Sequence, residues 1–446
     1  MNVFHAMIIG GLAIVFNLAG SPAQGQVCGT EEFKITPADA ASEDLFGSSI
    51  AISGTAGVIG APGDDFGKGS AYIYLVGDGT EFQKLVPDTT LFGAQFGASV
   101  ASTGFNILVG APHDVNASST AATGAAYLFG SLGGAQIHRF LASDGANFDL
   151  FGKSVAIAGN TVAVGSPSSA GTFGSVYLFD RVSGAQLGKL NASNGLAGDQ
   201  MGSSLAIDGT TIVAGAPQLQ HNAEFGGAVF LFDTSTMTQG LTLFNDGSIG
   251  DEFGQSVAIS GDYIVVGAPQ DSQASFNAGA AYVFDRNTGG LLYKYIPASN
   301  GATNESLGTS VAINGTNAVL GGKGALNVAV VIDLLTGDPI AELKPSDSTE
   351  FHFYGTAVAI SDSGVLVGAH DDDQNGVRSG AVYRFNMLPN ICVADINADC
   401  AINFFDVSAF LTAFNNHNTT ADLNGDGVFN FFDVSEFLSA FAAGCP

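Results

Sequence analysis

The fold of this chain is indicated most clearly by the stretch Phe253–Asp285, FGQSVAISGDYIVVGAPQDSQASFNAGAAYVFD. It contains three short segments of strand character: the alternating SVAIS, the apolar YIVVGAP and the aromatic AAYVFD. A Gly-Asp pair separates the first two segments, which is typical of a tight hairpin. A fourth segment, LLYKYIPA, follows from Leu291. The unit therefore predicts four antiparallel strands in about 50 residues.

The same unit occurs seven times along the chain. The turn between its first two strands often reads Asp-Gly or Asn-Gly, as at Asp208-Gly209 and Asn314-Gly315, where a tight hairpin needs a positive φ. A four-stranded unit repeated with this period predicts a β-propeller. The copies are 47 to 55 residues apart and begin at Phe46, Phe96, Phe151, Met201, Phe253, Leu307 and Tyr354, of which the last two are the loosest.

A ring of seven blades must also close. The seventh copy ends with GAVYRF at Phe385 and is followed by no fourth strand, whereas the segment around Phe33–Pro37, in EEFKITP, matches the strands that lie between the units. We therefore predict an all-β seven-bladed propeller of four-stranded blades. The N-terminal strand completes the last blade, so that no sheet edge stays open at the seam.

The paired Phe-Gly and Gly-Ala-Pro signatures resemble the FG-GAP repeats of integrin α-subunit heads and their bacterial relatives, over residues 28–388. The resemblance implies a ligand-binding face built from the loops that follow Gly-Ala-Pro. The ligand itself is not indicated. Integrin-type repeats also hold calcium between their first two strands. Here that connection is only a tight turn, so we expect no calcium site there.

One of the loops after Gly-Ala-Pro is a weak candidate metal site. Asp371, Asp373 and Asn375 place oxygen atoms at alternate positions ahead of Gly376. A calcium loop would need another carboxylate about four residues later, where Ser379 stands. A solvated acidic loop is the alternative.

The C-terminal region contains two copies of a calcium-loop pattern. The segment DLNGDGVFNFFD places oxygen ligands at loop positions 1, 3, 5, 7, 9 and 12, with Gly427 at the sharp turn. DINADCAINFFD repeats the pattern 27 residues earlier, with Cys400 in place of the glycine, which leaves its relative affinity open. Such oxygen ligands favour Ca²⁺, whereas zinc prefers His or Cys. With the backbone carbonyls of Ala401 and Val428 at position 7, the candidate ligands are Asp395, Asn397, Asp399, Ala401, Asn403 and Asp406 in the first loop and Asp422, Asn424, Asp426, Val428, Asn430 and Asp433 in the second.

Each loop continues into a segment with helical periodicity. Apolar residues recur at i, i+3, i+4 and i+7, which predicts one amphipathic helix after each loop with these residues in its core. The two sets are Val407, Phe410, Leu411 and Phe414, and Val434, Phe437, Leu438 and Phe441.

A loop followed by an exiting helix, occurring twice with Asp at position 12, resembles a dockerin module over residues 391–446. The ending Gly-Cys is similar to the dockerin-like tails of secreted proteins from environmental bacteria. The resemblance implies two Ca²⁺ ions and a partner protein contacted through loop positions 10 and 11. From the residues alone, packing inside the module is an equal alternative for these aromatic side chains, which are Phe404, Phe405, Phe431 and Phe432.

The N-terminus and the cysteines predict export. Residues 1–25 have the pattern of a secretion signal, with an apolar core before Ser21-Pro22-Ala23, and no later segment is long and apolar enough to span a membrane. An even number of cysteines in an exported chain favours two disulfides. The connectivity stays open between a Cys392–Cys445 bridge, which leaves Cys28 for Cys400, and a bridge between Cys28 and Cys392.

The composition and the sequence motifs limit the classes of function that this chain can have. The 446-residue chain carries a net charge of −28 with only 13 Lys plus Arg, which disfavours nucleic acid and anionic membranes as partners. The sequence has no G-x-S-x-G, H-E-x-x-H, P-loop or dinucleotide motif. We therefore expect an exported, non-catalytic binding or scaffold protein, whose tail attaches it to an extracellular or cell-surface partner. A secreted propeller enzyme acting on polysaccharide and a structural surface-layer component are the alternatives.

Overall fold

The computed structural model describes residues 29–88, 92–104, 106–115, 122–130, 134–169, 173–193, 195–196, 198–221, 224–246, 250–297, 303–324, 327–347, 353–386, 394–396 and 403–443. Contacts divide the chain into one compact unit, Cys28–Leu388, and a second that contains Pro389–Pro446. The expected secretion signal, residues 1–25, lies outside the described residues.

The larger unit is built from short antiparallel strands. The strands among the described residues are β1 (Thr30–Ile35), β2 (Ser49–Ser53), β3 (Ala56–Ala61), β4 (Ser70–Leu75), β5 (Glu81–Leu85), β6 (Ser99–Thr103), β7 (Asn106–Ala111), β8 (Ala125–Gly130), β9 (Gln136–Phe140), β10 (Val155–Ala158), β11 (Thr161–Ser166), β12 (Ser175–Asp180), β13 (Gln186–Leu190), β14 (Ser204–Asp208), β15 (Thr211–Ala216), β16 (Gln220–His221), β17 (Glu224–Phe225), β18 (Ala228–Asp233), β19 (Thr238–Leu243), β20 (Ser256–Ser260), β21 (Tyr263–Ala268), β22 (Ala280–Asp285), β23 (Leu291–Tyr295), β24 (Ser310–Asn314), β25 (Asn317–Gly321), β26 (Ala329–Asp333), β27 (Pro339–Leu343), β28 (Tyr354–Ser361), β29 (Gly364–Ala369) and β30 (Ala381–Asn386). One short helical turn, Asp64–Gly67, follows β3.

These strands form seven four-stranded sheets, which confirms the predicted blades. Blades 1, 2 and 3 contain β2–β5, β6–β9 and β10–β13. Blade 4 contains β14, β15, β18 and β19, with the small ribbon β16–β17 in its loop, and blades 5 and 6 contain β20–β23 and β24–β27. Blade 7 has the order β1-β30-β29-β28. The first strands of successive blades contact one another all the way round, including β2 with β28, so the sheets form a closed ring.

The N-terminal strand completes blade 7, as the sequence predicts. β1 pairs antiparallel with β30, with Thr30 opposite Asn386 and Ile35 opposite Val382. Main-chain hydrogen bonds between residues more than 300 positions apart therefore close the ring without a free sheet edge at the seam.

The Phe-Gly and Gly-Ala-Pro signatures join each blade to the next. The Gly47 N–H donates to the Gly60 carbonyl at 3.0 Å within blade 1, and the Ser49 hydroxyl donates to the Gly97 carbonyl of blade 2 at 2.8 Å. A Cβ on Gly60 would lie 2.0 Å from that carbonyl oxygen, so this glycine is needed for the close approach of the neighbouring backbone. The Phe of the signature also lies at a joint: the Phe46 N–H donates to the Ser379 carbonyl of blade 7 at 3.1 Å, and its ring packs edge-to-face on Tyr72 of blade 1 with 5.5 Å between ring centroids.

The connections between the first and second strands are two residues long in every blade. Gly209 and Gly315 occupy these turns with φ of 59° and 58°, as the Asp-Gly and Asn-Gly pairs predict. A two-residue turn offers no room for a calcium loop of the integrin type.

Among its described residues the second unit has two helices, α1 (Phe404–Asn415) and α2 (Phe431–Ala443), and a 3₁₀ turn at Thr419–Ala421. Phe410 and Phe437 stack at its centre with 4.2 Å between ring centroids, and Ala394 and Ala421 are buried beside them. Val407, Phe414, Val434 and Phe441 pack around this centre, as predicted.

The predicted core positions of Leu411 and Leu438 are wrong, because both side chains are more than half exposed. The helices of so small a unit bury a narrower stripe than the i, i+3, i+4 pattern suggests. No helix among the described residues is long and apolar enough to cross a membrane.

Candidate functional site

The second candidate calcium loop is wound by its own side chains. The two carboxylate oxygens of Asp422 accept hydrogen bonds from the N–H groups of Asp426 at 3.1 Å and Gly427 at 2.9 Å. Asn424 Oδ1 also accepts from the Asp426 N–H, at 2.9 Å. Gly425 and Gly427 have φ of 70° and 75°, in the left-handed region that favours glycine. The oxygens of positions 1 and 3 thus gather around a sharp turn.

Asp433, at position 12, ties the two ends of this loop together. Its side chain is fully buried, and Oδ2 accepts from the Asn430 N–H at 2.9 Å while Oδ1 accepts from the N–H groups of Leu423 and Asn424 at 3.0 and 3.4 Å. The N–H groups of Asn430, Asn424 and Leu423 hold the pKa of Asp433 below its usual value. A carboxylate fixed in its ionised form is available as a metal ligand.

The donor set of the second loop fits Ca²⁺. Asp422, Asp426 and Asp433 supply three carboxylates, and every other ligand position carries an amide or carbonyl oxygen. The position-7 carbonyl, of Val428, accepts from Asn430 Nδ2 at 2.9 Å, so positions 7 and 9 are already adjacent. A hard cation that binds six to eight oxygens matches this set.

The first loop is described only at its ends. Asp406 is fully buried, and its Oδ2 accepts from the Asn403 N–H at 2.9 Å, which repeats the contact between Asp433 and Asn430. Asp395 is also described, whereas Asn397, Asp399, Cys400 and Ala401 lie outside the described residues. All four candidate disulfide cysteines, Cys28, Cys392, Cys400 and Cys445, lie outside them as well.

The two phenylalanine pairs lie on the surface of the second unit. Phe404, Phe405, Phe431 and Phe432 are between 68% and 76% exposed. Their backbone is fixed by N-caps, since Asn403 Oδ1 accepts from the Phe405 N–H at 2.8 Å and Asn430 Oδ1 from the Phe432 N–H at 2.7 Å. The rings are held at the starts of both helices without entering the core. Phe404 also lines a shallow groove along α1 with Val407 and Leu411.

The weak candidate site in blade 7 already contains a cation from the protein. Arg378 Nε donates to Asp371 Oδ1 at 3.0 Å, and the Arg378 backbone N–H donates to Asp373 Oδ1 at 2.6 Å. The guanidinium supplies the positive charge that a metal ion would bring. This arrangement favours the solvated acidic loop over a metal site at Asp371, Asp373 and Asn375.

Sequence reasoning missed a network of charged residues under the loops that follow Gly-Ala-Pro. In blade 5, Lys294 Nζ lies 2.9 Å from Asp246 Oδ2 and 2.6 Å from Asp271 Oδ2, and the Tyr282 hydroxyl lies within hydrogen-bond distance of both carboxylates, at 3.0 and 3.2 Å. Lys84 in blade 1 and Lys34 in blade 7 make the same two ion pairs. These loops are therefore fastened to the blades beneath them.

A comparison of the seven copies with one another could have found this network. A tyrosine in the third strand faces a Lys or Arg in the fourth strand of five blades. Blades 4 and 6 have neither residue, because Phe230 faces Thr242 and Val330 faces Glu342. The signal is that the tyrosine and the basic residue either occur together in a blade or are both missing from it.

The chain was compared with known families and proteins. The FG-GAP repeat family matches residues 30–74, 80–129, 135–179, 185–232, 238–284 and 339–385, which together make up well over half of the chain. Residues 285–338, between the last two matched segments, contain the loose copy at Leu307. There Gly321-Gly322-Lys323 replaces Gly-Ala-Pro, although β24–β27 still form a blade. No curated protein matches the sequence. On the strength of its repeats and its seven blades, the chain belongs to the FG-GAP repeat family.

Proposed function

We propose that this chain is an exported, non-catalytic binding protein. Its FG-GAP propeller is a protein-binding platform, and its dockerin-like C-terminal unit, folded around Ca²⁺, attaches it to an extracellular or cell-surface protein. The observation that carries the proposal is the exposure of the two phenylalanine pairs directly beside oxygen-rich loops. The paired carboxylates of the propeller loops support a non-catalytic role, because they are engaged in ion pairs with lysines of the same blade.

Calcium would be held by the two loops of the C-terminal unit. In the second loop the ligands are the side chains of Asp422, Asn424, Asp426, Asn430 and Asp433 and the carbonyl of Val428; in the first they are Asp395, Asn397, Asp399, Asn403 and Asp406 and the carbonyl of Ala401. The ion neutralises loops that otherwise repel their own charges. A metal that binds only the folded form stabilises it by about 2.7 kcal/mol per site at a hundredfold excess over its Kd. A core as small as that around Phe410 and Phe437 needs such support.

Attachment would use the exposed phenylalanines. Fully burying one such side chain against a partner contributes about 1.5–3 kcal/mol, and a few aromatic anchors carry most of the energy of a typical interface. The helix N-caps fix the backbone that carries these rings, so only the side chains have to be ordered on binding. Because two loops carry the same Phe-Phe-Asp sequence, each could present one anchor pair. The partner would offer an apolar groove.

The test is capture by the immobilised full-length chain from the secreted and envelope proteins of its source, in calcium and in EDTA. We expect one defined protein to be retained in calcium, released by EDTA, and lost from a Phe404→Ala/Phe431→Ala double variant. Phe82→Ala removes a phenylalanine in the fourth strand of blade 1, away from the loops after Gly-Ala-Pro, that is 54% exposed, and it should leave capture unchanged. Equal capture by the double variant, or none in calcium, would refute the attachment role.

A further inference from the structure

At each of two joints between blades, one lysine forms ion pairs with two aspartates. A third, buried aspartate belongs to the same cluster. At the joint of blades 7 and 1, Lys84 Nζ lies 2.6 Å from both Asp39 Oδ2 and Asp64 Oδ2. Asp44 is only 3% exposed, its Oδ2 accepts from the Ala41 N–H at 2.6 Å, and its carboxylate interacts electrostatically with Asp64, Lys84 and Asp39. Three carboxylates therefore share one ammonium group.

The arrangement recurs at the joint of blades 4 and 5. There Lys294 pairs with Asp246 and Asp271, and the additional carboxylate is Asp251. Asp251 is 2% exposed and accepts from Asn245 Nδ2 at 3.2 Å. Carboxylate oxygens of the three aspartates lie within 4.8 Å of one another. Three aspartates thus share one lysine at both joints, although the loop sequences of the blades differ.

Both additional carboxylates belong to segments that join neighbouring blades. The Asp44 carbonyl accepts from the Gly63 N–H at 3.0 Å, and the N–H groups on either side of Asp44, from Glu43 and Leu45, donate to the carbonyls of Val377 and Arg378 in blade 7. The Asp251 carbonyl accepts from the Gln270 N–H at 3.2 Å. A repulsive charge at either position acts directly on a joint of the ring.

We propose that Asp44 and Asp251 are proton-binding groups that strengthen these two joints when the surroundings become mildly acidic. Taking up one proton removes one of two uncompensated negative charges from each cluster. The charged groups that act on Asp44 are Asp39, Asp64 and Lys84, and the groups that act on Asp251 are Asp246, Asp271, Lys294 and the neutral Tyr282. This inference does not depend on calcium binding by the C-terminal unit.

The titration of both groups fits this role. Burial raises the pKa of Asp44 to about 6, with repulsion from Asp64 and Asp39 opposed by the Ala41 N–H and Lys84. Burial and Asp271 raise the pKa of Asp251 to about 6 in the same way. Because these values exceed the usual value of about 3.9, the folded chain binds the proton more tightly than the unfolded chain. The gain in stability is complete below about pH 4 and is lost as the pH rises through 6.

Tyrosine fluorescence can test the proposal, since all 10 Tyr lie in the propeller, between Tyr72 and Tyr383. Urea unfolding of the full chain is followed in EDTA at pH 7.5 and 5.0. We expect acidification to shift the folding equilibrium toward the native state by about tenfold per group. The Asp44→Asn/Asp251→Asn variant should be more stable than the parent at pH 7.5 and should lose this part of the shift.

The control is Asp285→Asn, which changes an exposed aspartate whose Oδ1 accepts from the Thr288 N–H at 2.7 Å. Its pKa is lowered by contacts with Thr288, so this variant should lose stability equally at both pH values and keep the parent's shift. The proposal is overturned if the double variant shows the same pH shift as the parent. If the double variant does not fold, the two single variants are compared in the same way, each expected to lose about half of the shift.

Discussion

Lys34 Nζ lies 2.7 Å from Asp372 Oδ2, although 338 residues separate the two in sequence. The lysine comes from the strand that closes the ring, and the aspartate from the corresponding loop of blade 7, which follows Gly368-Ala369-His370. Asp347 Oδ2 lies 2.8 Å from the same ammonium group. β1 therefore brings to blade 7 the fourth-strand lysine that blades 1 and 5 supply from their own sequence.

Replacing Lys34 should open the ring more easily than any surface change. Lys34→Met leaves buried Asp372 without its cation, and removing one partner of a buried pair costs about 3–5 kcal/mol. Urea unfolding followed by tyrosine fluorescence measures this loss. Lys344→Met is the matched control, because Lys344 and Glu342 form an exposed pair whose loss should cost at most about 0.5 kcal/mol. Equal losses of stability in the two variants would contradict a stabilising role for the ion pairs of Lys34.

The glycine of Gly-Ala-Pro should tolerate no side chain. In Gly60→Ala the new Cβ would lie 2.0 Å from the Gly97 carbonyl oxygen and 2.4 Å from Ser49 Oγ, so we expect a loss of about 3 kcal/mol or more. Gly54→Ala adds the same methyl group at a φ of 60° with nothing within 4 Å, which should cost only about 1–2 kcal/mol. A smaller loss for Gly60→Ala than for Gly54→Ala in urea unfolding would refute the close-approach argument.

The joint between blades 7 and 1 lacks a hydrogen bond that the other joints have. Six serines at the Ser49 position donate to the next blade's glycine carbonyl, whereas Ala357 stands there in blade 7. We expect Ser49→Ala to cost about 1 kcal/mol and Ala357→Ser to gain a similar amount. The midpoint of thermal unfolding measures both. A loss of stability in Ala357→Ser would show that this joint has a different geometry.

Much of the propeller could be predicted because its information is local and repeated. Strand alternation, Asp-Gly turns and the unpaired EEFKI segment each indicate structure within a few residues, and seven copies reinforce the same conclusion. The Lys294 network was missed because Asp246, Asp271 and Lys294 lie 23 or more residues apart and meet only once the blade has formed. The extra charge on Asp44 likewise exists only after burial.

The C-terminal unit shows a different limit of sequence reasoning. Two consecutive phenylalanines at positions 10 and 11 of each loop fitted either a surface or a core, and in the structure all four side chains are more than two thirds exposed. Leu411 fits the helical pattern but faces outward, because α1 buries only the stripe that carries Phe410. Periodicity predicts which face of a helix is apolar. It does not predict how much of that face is covered by the rest of the unit.

Phe410 and Leu411 should therefore differ sharply when truncated. Phe410→Ala removes the ring stacked on Phe437 and should cost about 3–5 kcal/mol, enough to unfold a unit of this size. Leu411→Ala changes an exposed side chain and should cost less than about 1 kcal/mol. Circular dichroism at 222 nm measures the helix loss, while tyrosine fluorescence should stay constant because this unit has no Tyr. A drop in tyrosine signal for Phe410→Ala would contradict separate folding of the two units.

Calcium-dependent folding of the C-terminal unit is tested most directly by calorimetric titration of the metal-free full chain with calcium, with helix content followed at 222 nm. We expect two calcium ions per chain, a rise in helix content and no change in tyrosine fluorescence. One ion should be lost in Asp433→Asn and the other in Asp406→Asn, whereas Asp285→Asn should retain both. Heat no greater than that of dilution, or unchanged stoichiometry in both loop variants, would contradict a calcium-folded unit.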